Sequence, residues 1–244
     1  MKYQYQNKQY IPLLKEVRKY FDETKTLIWD RRNKIKIVIY DNKHIAVKSF
    51  KLPHLLNRIV YGVFRDSKAK RSYDNSLKLK GLVPEPIGYV EYHQWGMLQD
   101  SYFLSEEFMY DFTIREVLLA QDFSDRLNIL EKFSYFTYML HETGAEHLDY
   151  SPGNILIKKV NGEYQFKVID INRMRFGTLS MQKRLENFAK LWASDTDLKF
   201  IAASYAKWVH IDEQQAVAWA LKASHRHKSR INMKKRLKGK PVVD

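Results

Sequence analysis

The chain has 244 residues, 42 Lys or Arg against 28 Asp or Glu for a formal charge of +14, and no cysteine. That length allows one large domain or two lobes sharing a site, and a 45% hydrophobic, 14% aromatic composition with few Gly or Pro excludes a disordered or collagen-like chain. The missing cysteine excludes disulfides, thiolate metal sites and thiol nucleophiles, while a pI near 9.6 directs attention to an anionic partner.

The first residues, MKYQYQNKQY, show no apolar leader, and no run reaches the roughly 18 apolar residues that span a bilayer. A soluble, cytoplasmic protein is expected. Leu14, Val17 and Phe21 recur at helical spacing behind Pro12 and predict a short helix over 13–21. TLIW (26–29), KIKIVIY (34–40) and HIAVKSF (44–50) are β-branched and aromatic, separated by DRRN and DNK, and predict an antiparallel meander. A helix is expected from Pro53 to about Arg65, and another over 68–80, capped by Ser67 and stopped at Gly81. Strands follow at 87–93 and 101–108.

Beyond residue 108 the pattern becomes helical. Thr113 with Glu116 reads as a capping box, and Ser124 is expected to open a long helix ending at Gly144. One hairpin interrupts, NILIKKV and EYQFKVID around Asn161-Gly162, a strong two-residue turn signal. Helices resume near 180, Asp212 and Gln215 form a second candidate box, and nine Lys or Arg against one acid between Lys222 and Asp244 place +8 of the charge in a tail. The expectation is an α+β chain: a β-rich N-lobe over 1–108, and a mainly helical C-lobe over 109–244 whose basic tail begins at about 222.

The chemistry concentrates around the hairpin. His147-Leu148-Asp149-Tyr150-Ser151-Pro152-Gly153-Asn154 fits H-x-D-x-x-x-x-N, and Asp170 lies at the hairpin's far end. Phosphoryl transfer needs such a set: a carboxylate to orient and deprotonate a hydroxyl (Asp149), and two hard oxygen ligands for Mg²⁺ (Asn154 and Asp170). His147 is assigned a structural part beside Asp149. In the N-lobe, Ala46 and Lys48 alternate onto one face of a strand, a small residue leaving room for adenine beside an ammonium for nucleotide phosphates. Asp74, the acid of the 68–80 helix, is expected to pair with Lys48. Backbone groups near Glu106–Phe108 would meet adenine, and Asp111 would bind a ribose hydroxyl or act as a cap.

The order Lys48, Asp74, Glu106–Phe108, His147/Asp149/Asn154 and Asp170 resembles the protein-kinase-like fold. More narrowly, SKAKRSYDNSLKLKGLVPEPIGYVE (67–91), HLDYSPGNIL (147–156) and IDINRMRFG (169–177) resemble the Kdo/WaaP-type lipopolysaccharide kinases, over about residues 35–190. The resemblance implies ATP and Mg²⁺ as cofactors and transfer of the γ-phosphate to a sugar hydroxyl of the lipopolysaccharide inner core, with Kdo of a lipid A precursor as acceptor. Asp170-Ile171-Asn172 is similar to that family's D-x-N. This sequence departs from protein kinases in having no glycine-rich loop before Lys48, no A-P-E segment after Asp170, and Asp rather than Glu at position 74.

Arg173 and Arg175 are either surface charge or a dock for an anionic acceptor. The tail is either a solvated charge run, a contact to anionic lipid at the cytoplasmic membrane face, or a contact to nucleic-acid phosphates; few aromatic residues interleave it, which disfavours nucleic acid. Two rival expectations remain. One is a small-molecule or protein kinase, the other a non-catalytic pseudokinase that binds an anionic membrane or nucleic acid.

Overall fold

The structure is a computed structural model and describes residues 1–30, 33–50 and 66–242. The expected helix from Pro53 and the Arg31-Arg32 portion of the first turn lie outside the described residues. Two compact units form: Met1–Met109 with Asp170–Asn172, and Tyr110–Ile169 with Arg173–Asp244.

The first unit is built on a six-stranded antiparallel sheet of β1 (Lys2–Tyr5), β2 (Leu27–Asp30), β3 (Asn33–Tyr40), β4 (Lys43–Phe50), β5 (Pro86–Gln94) and β6 (Met97–Glu106), in the order β1-β5-β6-β4-β3-β2. The predicted opening helix is two, α1 (Ile11–Lys15) and α2 (Val17–Glu23), broken at Glu16. Their Leu13, Leu14, Val17 and Phe21 pack on one sheet face against Val38, Ile45, Val47, Ile87, Val90, Tyr102 and Leu104. On the opposite face α3 (Lys68–Lys78), capped by Ser67 as expected, brings Ala69 and Tyr73 onto Phe50 and Tyr89. Covered on both sides, β5 is buried without alternation from Pro86 to Glu91.

Strand β1 was not foreseen. Its polar KYQY repeat carries little strand signal, and it exists because β5 offers an edge. Gly88 makes that pairing feasible, since a Cβ there would lie 2.4 Å from the Gln4 carbonyl oxygen.

In the second unit β7 (Phe112–Thr113) joins the hairpin of β9 (Ile155–Val160) and β10 (Glu163–Val168), while β8 (Ala145–His147) pairs with β11 (Met174–Phe176). Asn161 and Gly162 turn the hairpin with φ of 51° and 85°, the left-handed geometry that favours this dipeptide. The helices are α4 (Ile114–Leu119), with the Thr113/Glu116 capping box in place, α5 (Arg126–Glu142), α6 (Met181–Asn187), α7 (Asp195–Val209) and α8 (Glu213–Arg236). Helix α5 starts two residues later than Ser124: Asp125 occupies its N-cap with φ 58°, and its carboxylate accepts from the Asn128 side chain. The basic tail is not a free charge run up to Arg236. It is the second half of α8, held by buried Ala216, Ala220, Ser224 and Asn232 and by Lys228, whose Nζ donates to the Ala193 carbonyl at 2.9 Å. Among the described residues no helix is long and apolar enough to cross a membrane.

Candidate active site

Each unit holds a polar cluster of its own. In the first, Ile45 and Val47 of β4 are buried in the core, so alternation places Ala46 and Lys48 on the other face. Ala46 stands opposite Ser105 of β6. Lys48 Nζ donates to Asp170 Oδ1 at 2.8 Å, with the lysine side chain 15% and the aspartate 31% exposed. Asn172 Nδ2 donates to the same oxygen at 2.7 Å, and Asn75 of α3 donates to the Ile171 carbonyl at 2.7 Å. Asp170 thus sits in a short turn fastened to the first unit, with φ of 59°, a left-handed conformation that Asp tolerates better than most side chains.

The expected Lys48–Asp74 pair is not made. Asp74 bonds Lys70 at 2.8 Å, four residues away on the same helix, where a local partner costs less ordering than one on another element, and Lys48 is paired instead with Asp170. Burial works against the Lys70 charge, but its bond to Asp74, helped by Asp66, outweighs this and holds the ammonium well above its usual range. At the end of β6 the Glu106 amide donates to Glu85 and the Glu107 amide to His44, while the Glu106 side chain lies 3.6 Å from Lys43. The Phe108 amide makes no such bond among the described residues.

In the second unit the loop after β8 is set by its backbone. His147 is fully buried; its Nε2 donates to the Ile169 carbonyl at 3.0 Å, and its Nδ1 accepts the Asp149 amide at 3.1 Å. A neutral ring satisfies both bonds, and the histidine holds the loop to the end of the hairpin. Asn154 Nδ2 donates to the Asp149 carbonyl at 2.9 Å, and the Asn154 carbonyl accepts the Ile169 amide at 2.9 Å. Asn154 Oδ1 and the Asp149 carboxylate have no hydrogen-bond partner among the described residues. The loop is therefore tied down through its backbone while presenting two oxygen-bearing side chains. Asp111 caps no helix, the N-cap of α4 being Thr113; one of its carboxylate oxygens accepts the Lys159 amide of β9 at 2.8 Å. Arg173 and Arg175 are exposed, and the Arg173 carbonyl accepts the Leu148 amide at 3.3 Å.

A likeness to a solved protein follows from this arrangement of elements. The chain matches a structure described as "WaaP in complex with acyl carrier protein" with a TM-score of 0.60 and 15% identity, covering 93% of this chain and 99% of that one. This chain has the WaaP-like, kinase-like fold. No family model and no curated protein matches the sequence.

Within this kinase-like fold, a buried network stood outside the sequence motifs. Asn187, at the end of α6, donates through Nδ2 to the His147 carbonyl at 3.0 Å, and its Oδ1 lies 3.2 Å from His141 Nε2. His141 Nδ1 in turn lies 2.8 Å from the Tyr205 hydroxyl. Burial pushes His141 down to about 4, so it is neutral near pH 7 and accepts at one nitrogen while donating at the other. Three helices thus converge on the carbonyl two residues before Asp149. No short motif marks Asn187 or His141, because their partners are distant in the chain.

Proposed function

We propose that this chain is an Mg-ATP-dependent kinase that phosphorylates a sugar hydroxyl of the lipopolysaccharide inner core, with Kdo of a lipid A precursor as acceptor. The observation that carries the reading is the Asp149 loop, whose backbone is pinned by His147 and Asn154 while its carboxylate has no hydrogen-bond partner among the described residues. A general base needs that combination, since a fixed position and an unengaged oxygen let it accept the acceptor's hydroxyl proton as the oxygen attacks the γ-phosphorus. Lys48 holds the α- and β-phosphates, and the face bearing Ala46 with the Phe108 amide receives adenine. The donor set suits Mg²⁺: Asn154 contributes an amide oxygen, its nitrogen already being committed to a carbonyl, and Asp170 a carboxylate. When bound, the ion neutralises charge developing on the transferred group.

Two measurements test this reading. Mass spectrometry of Kdo-lipid A after incubation with Mg-ATP should show the mass gain of one phosphoryl group, with heptose acceptors as controls. A melting-temperature rise with ATP that requires Mg²⁺ should accompany it. Neither a mass gain nor a metal-dependent rise would leave the pseudokinase reading in its place.

The exposed side of α8 supports a peripheral contact with anionic membrane at the cytoplasmic face. Lys222, Arg226 and Lys234 are exposed there, with Met233 and Leu237 beside them at 57% and 80% exposure. Cations flanking exposed apolar side chains suit a lipid interface, at about 1 kcal/mol per basic residue. Vesicles of phosphatidylcholine with phosphatidylglycerol should sediment the protein and phosphatidylcholine alone should not; equal recovery with both would remove the membrane contact.

A further inference from the structure

A group of cations lies around the Asp149 loop that the phosphate-handling residues do not include. Asn187 ties the end of α6 to the His147 carbonyl, and the chain continues from Asn187 into a 3₁₀ turn, Phe188–Leu191, that carries Lys190. Arg175 of β11 stands directly across from Glu146 of β8, one residue before His147. Helix α8 closes over the same turn: the His227 ring meets Trp192 edge-on at 6.0 Å, Lys235 lies 5.8 Å over the Trp192 ring, and Lys228 bonds the Ala193 carbonyl. Arg230, an exposed residue of α8, lies three residues after His227.

The protein balances these charges only in part. Lys190 is half-buried while Arg175 and Arg230 are exposed, and none of the three forms an ion pair or hydrogen bond among the described residues. Burial lowers Lys190 from its usual range, and against it stand the favourable charges of Glu146 and Asp149 and the unfavourable ones of Arg175 and Arg230. His227 is likewise lowered, by burial first and then by Arg230 and Lys190. Of the two acids, Glu146 is already paired with Lys183 at 3.1 Å, and Asp149 is the proposed base. Holding the Lys190 ammonium partly desolvated beside two further, exposed cations is unfavourable, and an anion bound among them would relieve it.

We propose that Lys190, Arg175 and Arg230 form a binding site for a compact anionic group, a carboxylate or a phosphate carried by the acceptor sugar, next to Asp149. His227 and Trp192 hold α8 against the turn and so position Arg230. This rests on the kinase reading for its use in catalysis, but the site can be tested without ATP. An anion fixed here would orient the hydroxyl of the same sugar toward the Asp149 carboxylate, converting charge recognition into alignment of the attacking oxygen.

The test is an NMR titration of the full chain with glucuronate, glucose 6-phosphate, inorganic phosphate and glucose. The site predicts that the anionic sugars bind at least tenfold more tightly than glucose. Preference among the carboxylate, the sugar phosphate and free phosphate then identifies the group recognised. Lys190→Met and Arg230→Gln should each weaken that binding at least tenfold, Lys190→Arg should retain it, and Lys199→Met, which removes an exposed cation from α7, should not alter it. Arg175→Gln, on an exposed side chain, supplies an independent variant should the half-buried position resist change. Equal binding of glucose and the anionic sugars, or equal binding by wild type and the charge-removing variants, would overturn the proposal. A wild type that binds anionic sugars but gains no stability from Mg-ATP would retain the anion site while refuting the kinase reading.

Discussion

Asp149→Asn is expected to reduce phosphoryl transfer by about a thousandfold while leaving Mg-ATP affinity within about twofold, because a positioned general base contributes roughly 10²–10⁴ in rate and touches the acceptor rather than the nucleotide. The substitution is nearly isosteric, and the bonds that set the loop involve the Asp149 amide and carbonyl rather than its side chain. The loop should therefore keep its shape, and the loss should appear in kcat. Single-turnover transfer measured beside the Mg-ATP melting shift separates the two effects. Transfer at the wild-type rate would remove Asp149 as the base, and a lost melting shift would mean that the residue supports the fold or the nucleotide instead.

Asp170→Asn should act on the other side of the reaction. It keeps the size of the side chain and the tolerance for the left-handed backbone at φ 59°, but it removes the charge that faces Lys48 and the proposed metal. Charge-assisted hydrogen bonds are worth about 1.5–3 kcal/mol, so Mg-ATP affinity should fall by roughly ten- to a hundredfold. Metal-free ATP should bind as well as before or better, since a carboxylate no longer repels the phosphates. Calorimetric titration with and without Mg²⁺ measures both arms. Equal Mg-ATP affinity in the variant and the wild type would exclude Asp170 as a metal ligand. Combining the change with Lys48→Met should give losses that are not additive, because the two side chains share one bond.

Much of the proposed site could be read from short stretches of chain. The eight residues from His147 to Asn154 sit on one loop, the alternation of Ile45, Ala46, Val47 and Lys48 follows from the strand repeat, and the Asn161-Gly162 turn is local chemistry. The Thr113/Glu116 box spans only three residues and forms as expected. Where reading by pattern failed, the missing information lay elsewhere in the molecule. Asp74 looked like the partner of Lys48 by order alone, yet Lys70 stands one helical turn away and captures it. The basic composition of the tail left a solvated run, a lipid contact and a nucleic-acid contact open and did not reveal its seat, because the small buried residues Ala216, Ala220 and Ser224 of α8 are spread through a segment dominated by polar side chains.

The amino-acid order is therefore sufficient for the groups on which the kinase proposal is built: a strand lysine, an H-x-D-x-x-x-x-N loop and a following aspartate, in a chain without thiols and with its excess charge near the end. Which groups meet was settled by packing. Lys48 finds Asp170 across 122 positions, Tyr205 finds His141 across 64, and Asn187 reaches the His147 carbonyl across 40. The residues of the proposed anion site likewise come from a strand, a turn and helix α8. Short-range patterns record the backbone preferences of neighbouring residues, whereas these meetings follow from burying apolar faces of distant elements against one another, and the polar partners are carried together by that burial.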